Sequence, residues 1–91
     1  MDELARKQAK TMAEKGELCH TSPMELAEKL GRGFRIGENV TRGSNLQSIH
    51  RAMMKSPSDR NNITDRRFVC MGVGTAKAAD GTLYLCQVFR D

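Results

Sequence analysis

Apolar residues recur at helical spacing in two stretches near the N-terminus. The first covers residues 3–15, where Asp2 is a suitable N-cap and Gly16 a natural stop. The second follows Ser22-Pro23-Met24-Glu25, a capping box with proline at the first helical position, and ends at Gly31. The pattern therefore predicts two consecutive amphipathic helices.

A third helical stretch opens at Ser44, where Gln47 completes another capping box. Its apolar stripe stops at Ser56-Pro57, because the residue before a proline is disfavoured in the helical conformation. The segment Ser56–Ile63 then combines turn-forming residues with a carboxylate, a guanidinium and two amides. We interpret it as the hinge of the fold and as the first place to look for a site, with a turn over residues 62–65.

The C-terminal third is rich in strand-forming residues. Residues 68–75 and 82–89 are predicted strands, and Asp80-Gly81 between them is a strong hairpin signal. Both strands are apolar with little alternation, which predicts a sheet covered on both faces. Phe34–Ile36 is a candidate short strand. Helices that precede an antiparallel hairpin predict an α+β fold, and the length predicts one domain over residues 1–91.

The charge is mildly basic, with a net value of +4 and a pI near 9.3. Only 4% of residues are aromatic, and single-strand binders stack bases on aromatic rings, so solvated surface charges are favoured over a nucleic-acid partner. Binding of an anionic polymer, such as nucleic acid, through surface arginines is the alternative. No apolar run approaches the roughly 18 residues that span a bilayer, and no signal-peptide pattern is present. The cations that carry the excess charge are Arg32, Arg35, Arg42, Arg51, Lys55, Arg60, Arg66 and Arg67.

The three cysteines have no metal-binding spacing. Cys70 and Cys86 lie in neighbouring predicted strands and are the closest candidate pair. They share a face of the sheet only if the register gives an even residue sum across the ladder. Free thiols are the default expectation.

Two residues are candidates for polar chemistry. His20 follows the first helix in a polar segment, where it is either a metal ligand or an exposed or capping histidine. Glu38 lies in Gly37-Glu38-Asn39, a predicted turn that either projects the carboxylate into a cleft or leaves it solvated. Cys19-His20 is not predicted to be a nucleophile and base, because adjacent side chains of an extended segment diverge. Gly72 and Gly74 predict a close approach of another chain segment.

The ordered motifs of the chain resemble the CAP superfamily (cysteine-rich secretory proteins, antigen 5 and pathogenesis-related 1 proteins). The likeness is closest to compact bacterial members with an SCP-type domain. The matching segments, in order, are Gly37-Glu38-Asn39-Val40, Met54-Lys55-Ser56-Pro57, Asp59-Arg60-Asn61-Asn62-Ile63, Phe68, Val69–Gly74 and Gln87-Val88-Phe89.

The resemblance implies an α-β-α sandwich and a polar cleft. Relatives line this cleft with two histidines and two acidic residues, which hold a divalent ion in some of them. By position, His20 corresponds to the first histidine and Glu38 to the first acid. Asp59 stands where relatives carry the second histidine, and Ser56 stands near the second acid. One imidazole with two carboxylates is a weak zinc set, so His20, Glu38 and Asp59 imply at most weak divalent-cation binding, with no tightly bound cofactor.

The function that the resemblance implies is a non-enzymatic, secreted binding module for a lipid, a cell-wall component or a protein. The expected cleft residues are His20, Glu38, Asn39, Asp59 and Arg60. A metal-assisted hydrolase or protease that uses Glu38 as base and His20 as ligand is an alternative, although we assign no catalytic residue. Localisation is extracellular by resemblance.

Relatives usually carry a further helix before the segment that begins at Leu4. If that helix is lacking, through truncation of the domain or otherwise, one face of the sandwich is uncovered. The resulting apolar patch would favour a homodimer or a partner segment.

Overall fold

The computed structural model describes all residues from Met1 to Asp91. The three strands form one antiparallel sheet in the order β1-β3-β2, which confirms the α+β class. No helix combines the length and the apolar character that crossing a bilayer requires. The elements are α1 (Asp2–Lys15), α2 (Pro23–Leu30), β1 (Ile36–Gly43), α3 (Leu46–Lys55), α4 (Pro57–Thr64), β2 (Cys70–Lys77) and β3 (Leu83–Arg90).

The helix boundaries follow the local sequence signals with two corrections. Ser22 caps α2 as predicted, since its Oγ accepts from the backbone N–H three residues later at 3.2 Å. Gly16 ends α1 in the left-handed conformation, with φ 71°. Asp2 is the first residue of α1 rather than its cap. Asn45, not Ser44, caps α3, because its Oδ1 accepts the N–H three residues later at 2.8 Å.

The segment Ser56–Ile63 is not a hinge loop, because every residue after Ser56 lies in helix α4. Ser56 alone leaves the helical conformation, with φ −86° and ψ 116°, so it ends α3 and precedes α4. Pro57 then occupies the first turn of α4. Backbone N–H groups in that turn have no partner within the helix, so the N–H that proline lacks costs no hydrogen bond. The predicted turn at residues 62–65 is likewise wrong, since α4 continues to Thr64.

Strand β1 is longer than predicted and includes the Gly37-Glu38-Asn39 segment that the sequence placed in a turn. These three residues pair with Phe89, Val88 and Gln87 of β3, in a ladder that runs from Ile36 to Gly43. Their low intrinsic strand propensity is overridden by this pairing. As a result, Glu38 and Asn39 project from opposite faces of the sheet.

One face of the sheet packs under α1 and α2. Ala5, Ala9 and Met12 of α1 are fully buried in the same cluster as Tyr84, Cys86 and Val88 of β3, together with Leu26 and Leu30 of α2. The backbone of α1 rests directly on β2, because a Cβ at Gly72 or Gly74 would collide with backbone atoms of Met1 or Arg6. The predicted close approach at these glycines is therefore confirmed.

The opposite face is only partly covered. Ile49 and Met53 of α3 pack against Leu85 of β3, and α3 and α4 both rest on β1. On this face β2 has no helix above it, and Met71 and Val73 remain exposed. The prediction of a sheet covered on both faces is correct for β3 and wrong for β2.

All three cysteines are free. Cys86 pairs with Gly74, and Cys70 pairs with Arg90, so the even sum places both thiols on the same face. However, Cys70 and Gly74 are four residues apart along β2, which separates the two cysteines by roughly 13 Å. Disulfide formation requires Cα atoms closer than about 7 Å.

Candidate functional site

The centre of the candidate site is the carboxylate of Glu38. Glu38 lies in the middle of β1 and pairs with Val88, so its side chain enters the space between the sheet and the α1–α2 segment. Only 3% of the side chain is exposed. A buried carboxylate requires hydrogen-bond donors around it, because its desolvation is otherwise costly.

Four donors surround this carboxylate. Glu38 Oε1 accepts from the His20 ring at Nδ1 (2.8 Å) and from the Thr21 backbone N–H (2.8 Å). Oε2 accepts from the Thr21 hydroxyl (2.6 Å) and from the Cys86 thiol (3.5 Å). When Glu38 is ionised it only accepts, so His20 Nδ1 then carries the hydrogen, and Nε2 has no hydrogen-bond partner within the chain. The contact holds the imidazole, which is 62% exposed, in one orientation.

The segment that carries His20 and Thr21 is fastened at both ends. Gln8 of α1 donates from Nε2 to the Cys19 carbonyl at 2.6 Å. On the other side, the Ser22 side chain caps α2. These contacts fix the backbone on either side of His20, so the imidazole is presented from a rigid position.

The Cys86 thiol is buried beside this carboxylate. Burial and the neighbouring negative charge of Glu38 raise the pKa of the thiol far above its usual range. The thiolate is the reactive form of cysteine. Cys86 is therefore a neutral hydrogen-bond donor and not a nucleophile.

Thiol labelling is expected to separate Cys86 from the other two cysteines. In native protein at about pH 8, an aromatic disulfide reagent should modify the half-buried Cys19 and Cys70, while Cys86 should react only after denaturation. A Cys86→Ala variant is the control. It should lower the number of thiols labelled in denatured protein by one and leave the number labelled in native protein unchanged. Labelling of all three thiols in native protein would contradict the burial of Cys86.

Asn39 forms a second polar network on the opposite face of the sheet. Its side chain is fully buried, and its Nδ2 donates to the Asp59 carbonyl (3.0 Å) and to Gln87 Oε1 (3.1 Å). Its Oδ1 accepts from Asn62 Nδ2 at 2.8 Å. Ile63 packs beside α3. These contacts anchor α4 to β1, so the polar residues that the sequence placed in a hinge loop fasten a helix.

The structure divides the predicted cleft between the two faces. His20 and Glu38 are in contact on the α1–α2 face, whereas Asn39 and Asp59 meet on the α3–α4 face. Asp59 contributes its backbone carbonyl to that contact, and Arg60 is exposed without a side-chain hydrogen bond. The single cleft expected from the resemblance is therefore not assembled from these five residues.

The donor set does not fit a metal ion. No group of three histidine, cysteine, aspartate or glutamate side chains comes close enough to hold one. Both oxygens of Glu38 accept from the protein's own donors, and the coordinating nitrogen nearest to it, His20 Nδ1, already donates to Glu38. Asp59 lies beyond the sheet. A cation at Glu38 would have to displace positively polarised hydrogens from both oxygens.

Sequence reasoning did not identify Thr21, Cys86 or Gln87 as parts of these networks. Thr21 is adjacent to His20, but its contact with Glu38 depends on how the α1–α2 segment meets the sheet. Cys86 and Gln87 reach the networks through the pairing of β1 with β3. The relevant signal is the side-chain alternation along β3, which becomes informative only when the register is known.

Comparison with known proteins identifies the family. The model of the cysteine-rich secretory protein family, CAP, matches residues 1–89. A comparison with individually curated proteins gives no match. Proteins of the CAP family are generally extracellular. Because the match covers nearly the whole chain, in agreement with the ordered motifs and the α+β fold, this chain belongs to the CAP family.

Proposed function

We propose that this chain is a secreted, non-enzymatic binding module that recognises its ligand through His20. The observation that carries the proposal is the contact between an exposed imidazole and a buried carboxylate, at 2.8 Å. A buried acid that holds an exposed histidine in one orientation reduces the entropy that the side chain would lose on binding. This arrangement suits recognition.

The free Nε2 atom defines the ligand chemistry. With Nδ1 directed at Glu38, a neutral His20 accepts a hydrogen bond at Nε2, and a protonated His20 donates one. The ligand therefore carries a hydroxyl, amide or anionic oxygen at the point of contact. Lipid headgroups, cell-wall fragments and protein backbones all meet this requirement, in agreement with the ligand classes implied by the family.

The surroundings of His20 favour binding over hydrolysis. A general base must reach the proton that it removes, but Glu38 is buried and already accepts from Thr21 and Cys86 as well as His20. Of the two candidate nucleophiles beside Glu38, the Cys86 thiol is held neutral and the Thr21 hydroxyl is buried. The exposed Nε2 of His20 is an accessible base, but a hydrolase would also need an activated nucleophile or water beside it, and the contacts of Glu38 supply none.

Substitution of His20 is expected to weaken ligand binding without unfolding the protein. Palmitate, cholesterol sulfate and a soluble muropeptide serve as probes in calorimetric or NMR titrations. His20→Ala should raise the dissociation constant of whichever probe binds the wild-type protein at least about tenfold. This change corresponds to the loss of one charge-assisted hydrogen bond. Stability should fall by less than in a variant that lacks the Glu38 carboxylate, because the ring is mostly exposed and the other three donors to Glu38 remain.

The matched control is His50→Ala, which removes the other histidine from an exposed position on α3. It should leave ligand binding unchanged. If no probe binds the wild-type protein, small-ligand recognition at His20 is wrong. Equal loss in the His50 variant, or none in the His20 variant, would move the site elsewhere.

A further inference from the structure

Two short segments of the chain have the sequence that N-linked glycosylation requires. They are Asn39-Val40-Thr41 and Asn62-Ile63-Thr64, and no other asparagine is followed at the second position by serine or threonine. Such acceptor segments normally lie in surface loops, where a glycan points into solvent. Because proteins of this family are generally extracellular, an exported chain with these two segments is a candidate for glycosylation.

The structure places the two acceptor asparagines against each other, away from solvent. Asn39 is fully buried in β1, and its Nδ2 uses both hydrogens, one to the Asp59 carbonyl and one to Gln87 Oε1. Asn62 of α4 donates from its own Nδ2 to Asn39 Oδ1 at 2.8 Å and to the Glu38 carbonyl at 3.5 Å. Both nitrogens that would receive a glycan are therefore engaged in the contact between α4 and β1.

The chemistry of glycan transfer conflicts with these contacts. Transfer forms a bond between the asparagine Nδ2 and the anomeric carbon of a sugar, while the bond from that carbon to a lipid-linked pyrophosphate breaks. The pyrophosphate leaves with the bonding electrons, and the nitrogen gives one proton to a base of the transferase. The product nitrogen keeps a single hydrogen. A modified Asn39 would therefore leave at least one of its two buried acceptors without a donor.

The glycan would also have no route to solvent. The Asn39 side chain lies between β1 and α4, so a sugar on its nitrogen would have to separate the helix from the strand. The Thr41 hydroxyl, which belongs to the motif that a transferase reads, is on a residue only 7% exposed. The Thr64 hydroxyl donates to the Arg60 carbonyl within α4 at 2.9 Å. Neither segment is the accessible loop that an acceptor normally provides.

We propose that the Asn39–Asn62 pair makes N-glycosylation and folding of this chain mutually exclusive. The folded protein is not an acceptor, and a chain that is glycosylated before it folds cannot dock α4 on β1. The protein therefore reaches its folded state only where it escapes an oligosaccharide transferase while unfolded. This exclusion is independent of the function proposed for His20, which contacts the other face of the sheet.

A purified oligosaccharide transferase with a lipid-linked oligosaccharide donor tests the proposal, with intact mass as the readout. The acceptors are the folded full chain and a chain of residues 1–81, which lacks the central strand β3 and has no sheet on which to fold. The short chain should gain two glycans. The full chain should react at least about a hundredfold more slowly, because only its unfolded fraction, about 10⁻³ or less, is an acceptor.

Substitution of the two threonines removes the acceptor segments and keeps the asparagine pair. Thr41→Val and Thr64→Ala should each remove one glycan from the short chain. The full-length double variant, checked for native circular dichroism after production in bacteria, is the matched control for secretion from cultured eukaryotic cells behind a cleavable signal peptide. Wild-type chains that are glycosylated during synthesis should be retained in the cells, whereas the double variant should be secreted in folded form.

Four results would overturn the proposal. In the purified system, they are modification of the folded full chain as fast as the short chain, and failure of the short chain to accept any glycan. In cells, they are secretion of folded wild-type protein with a glycan at Asn39 or Asn62, and retention of the folding-competent double variant to the same extent as the glycosylated wild type. Secretion of wild-type protein without glycans would agree with it, because those chains have folded unmodified.

Discussion

Glu38→Ala is expected to reduce the free energy of unfolding by about 3–5 kcal/mol, because two buried donors lose their acceptor and a cavity opens. The substitution leaves the N–H and the hydroxyl of Thr21 without acceptors in a buried site, and each such loss costs about 1–3 kcal/mol. It also opens a cavity between the sheet and the α1–α2 segment. Domains of this size have only about 5–15 kcal/mol of total stability.

Urea unfolding followed by circular dichroism measures this effect. Glu17→Ala, an exposed glutamate just after α1, is the control and should change stability by less than about 0.5 kcal/mol. Glu38→Gln preserves the shape but presents an amide nitrogen to groups that are themselves donors, so it should also destabilise. A double-mutant cycle with Thr21→Val should show coupling of about 0.5–3 kcal/mol. Additive effects would mean that Glu38 and Thr21 are not in contact.

Gly74→Ala is expected to be the most destabilising substitution of a glycine in the sheet. The new methyl group would lie well inside van der Waals distance of backbone atoms of Ala5 and Arg6. Backbone atoms of a helix cannot turn aside as a side chain can, so α1 must lift from β2. Overpacking of this kind costs about 1–3 kcal/mol, and more when backbone must move. The expected loss is therefore about 3 kcal/mol, in spite of alanine's lower backbone entropy.

The control is Val73→Ala, which changes the neighbouring residue on the exposed side of the same strand. It should change the free energy of unfolding, measured with urea, by less than about 1 kcal/mol. Hydrogen exchange provides a second readout, because the amides of α1 should lose protection in Gly74→Ala before those of α3. A neutral Gly74→Ala substitution would show that α1 does not rest on β2.

Local signals in the sequence predicted most of the elements. Ser22 and Gly16 marked helix boundaries because capping and left-handed turns depend on a few adjacent residues. The same reasoning chose Ser44 over Asn45 as the cap of α3, since both residue types are good caps and only the geometry of the chain distinguishes them. Pro57 was correctly taken to end a helix, but its ability to start the next one was missed.

The site was less accessible to sequence reasoning because it depends on pairings distant along the chain. The residue types marked His20 and Glu38 as candidates, the resemblance placed them in one cleft, and the two side chains are in contact. The resemblance also grouped them with Asp59, which the sheet separates from Glu38. That separation follows from placing Gly37-Glu38-Asn39 in β1, and the strand in turn follows from pairing with residues 87–89. Local strand propensity does not predict this register, because the partner strand determines it.

The alternation of Glu38 and Asn39 across β1 also protects the fold against mispairing. If β1 slipped by one residue along β3, Asn39 would face the donors of Thr21 and Glu38 would press its charge against the Asp59 carbonyl. Such a slip moves every side chain of β1 to the opposite face of the sheet. Here it would leave buried polar groups without their hydrogen-bond partners. The slipped chain would lose both networks at once. The two side chains therefore act as a register lock, which selects one pairing of β1 during folding from several that its short, glycine-containing sequence would otherwise permit.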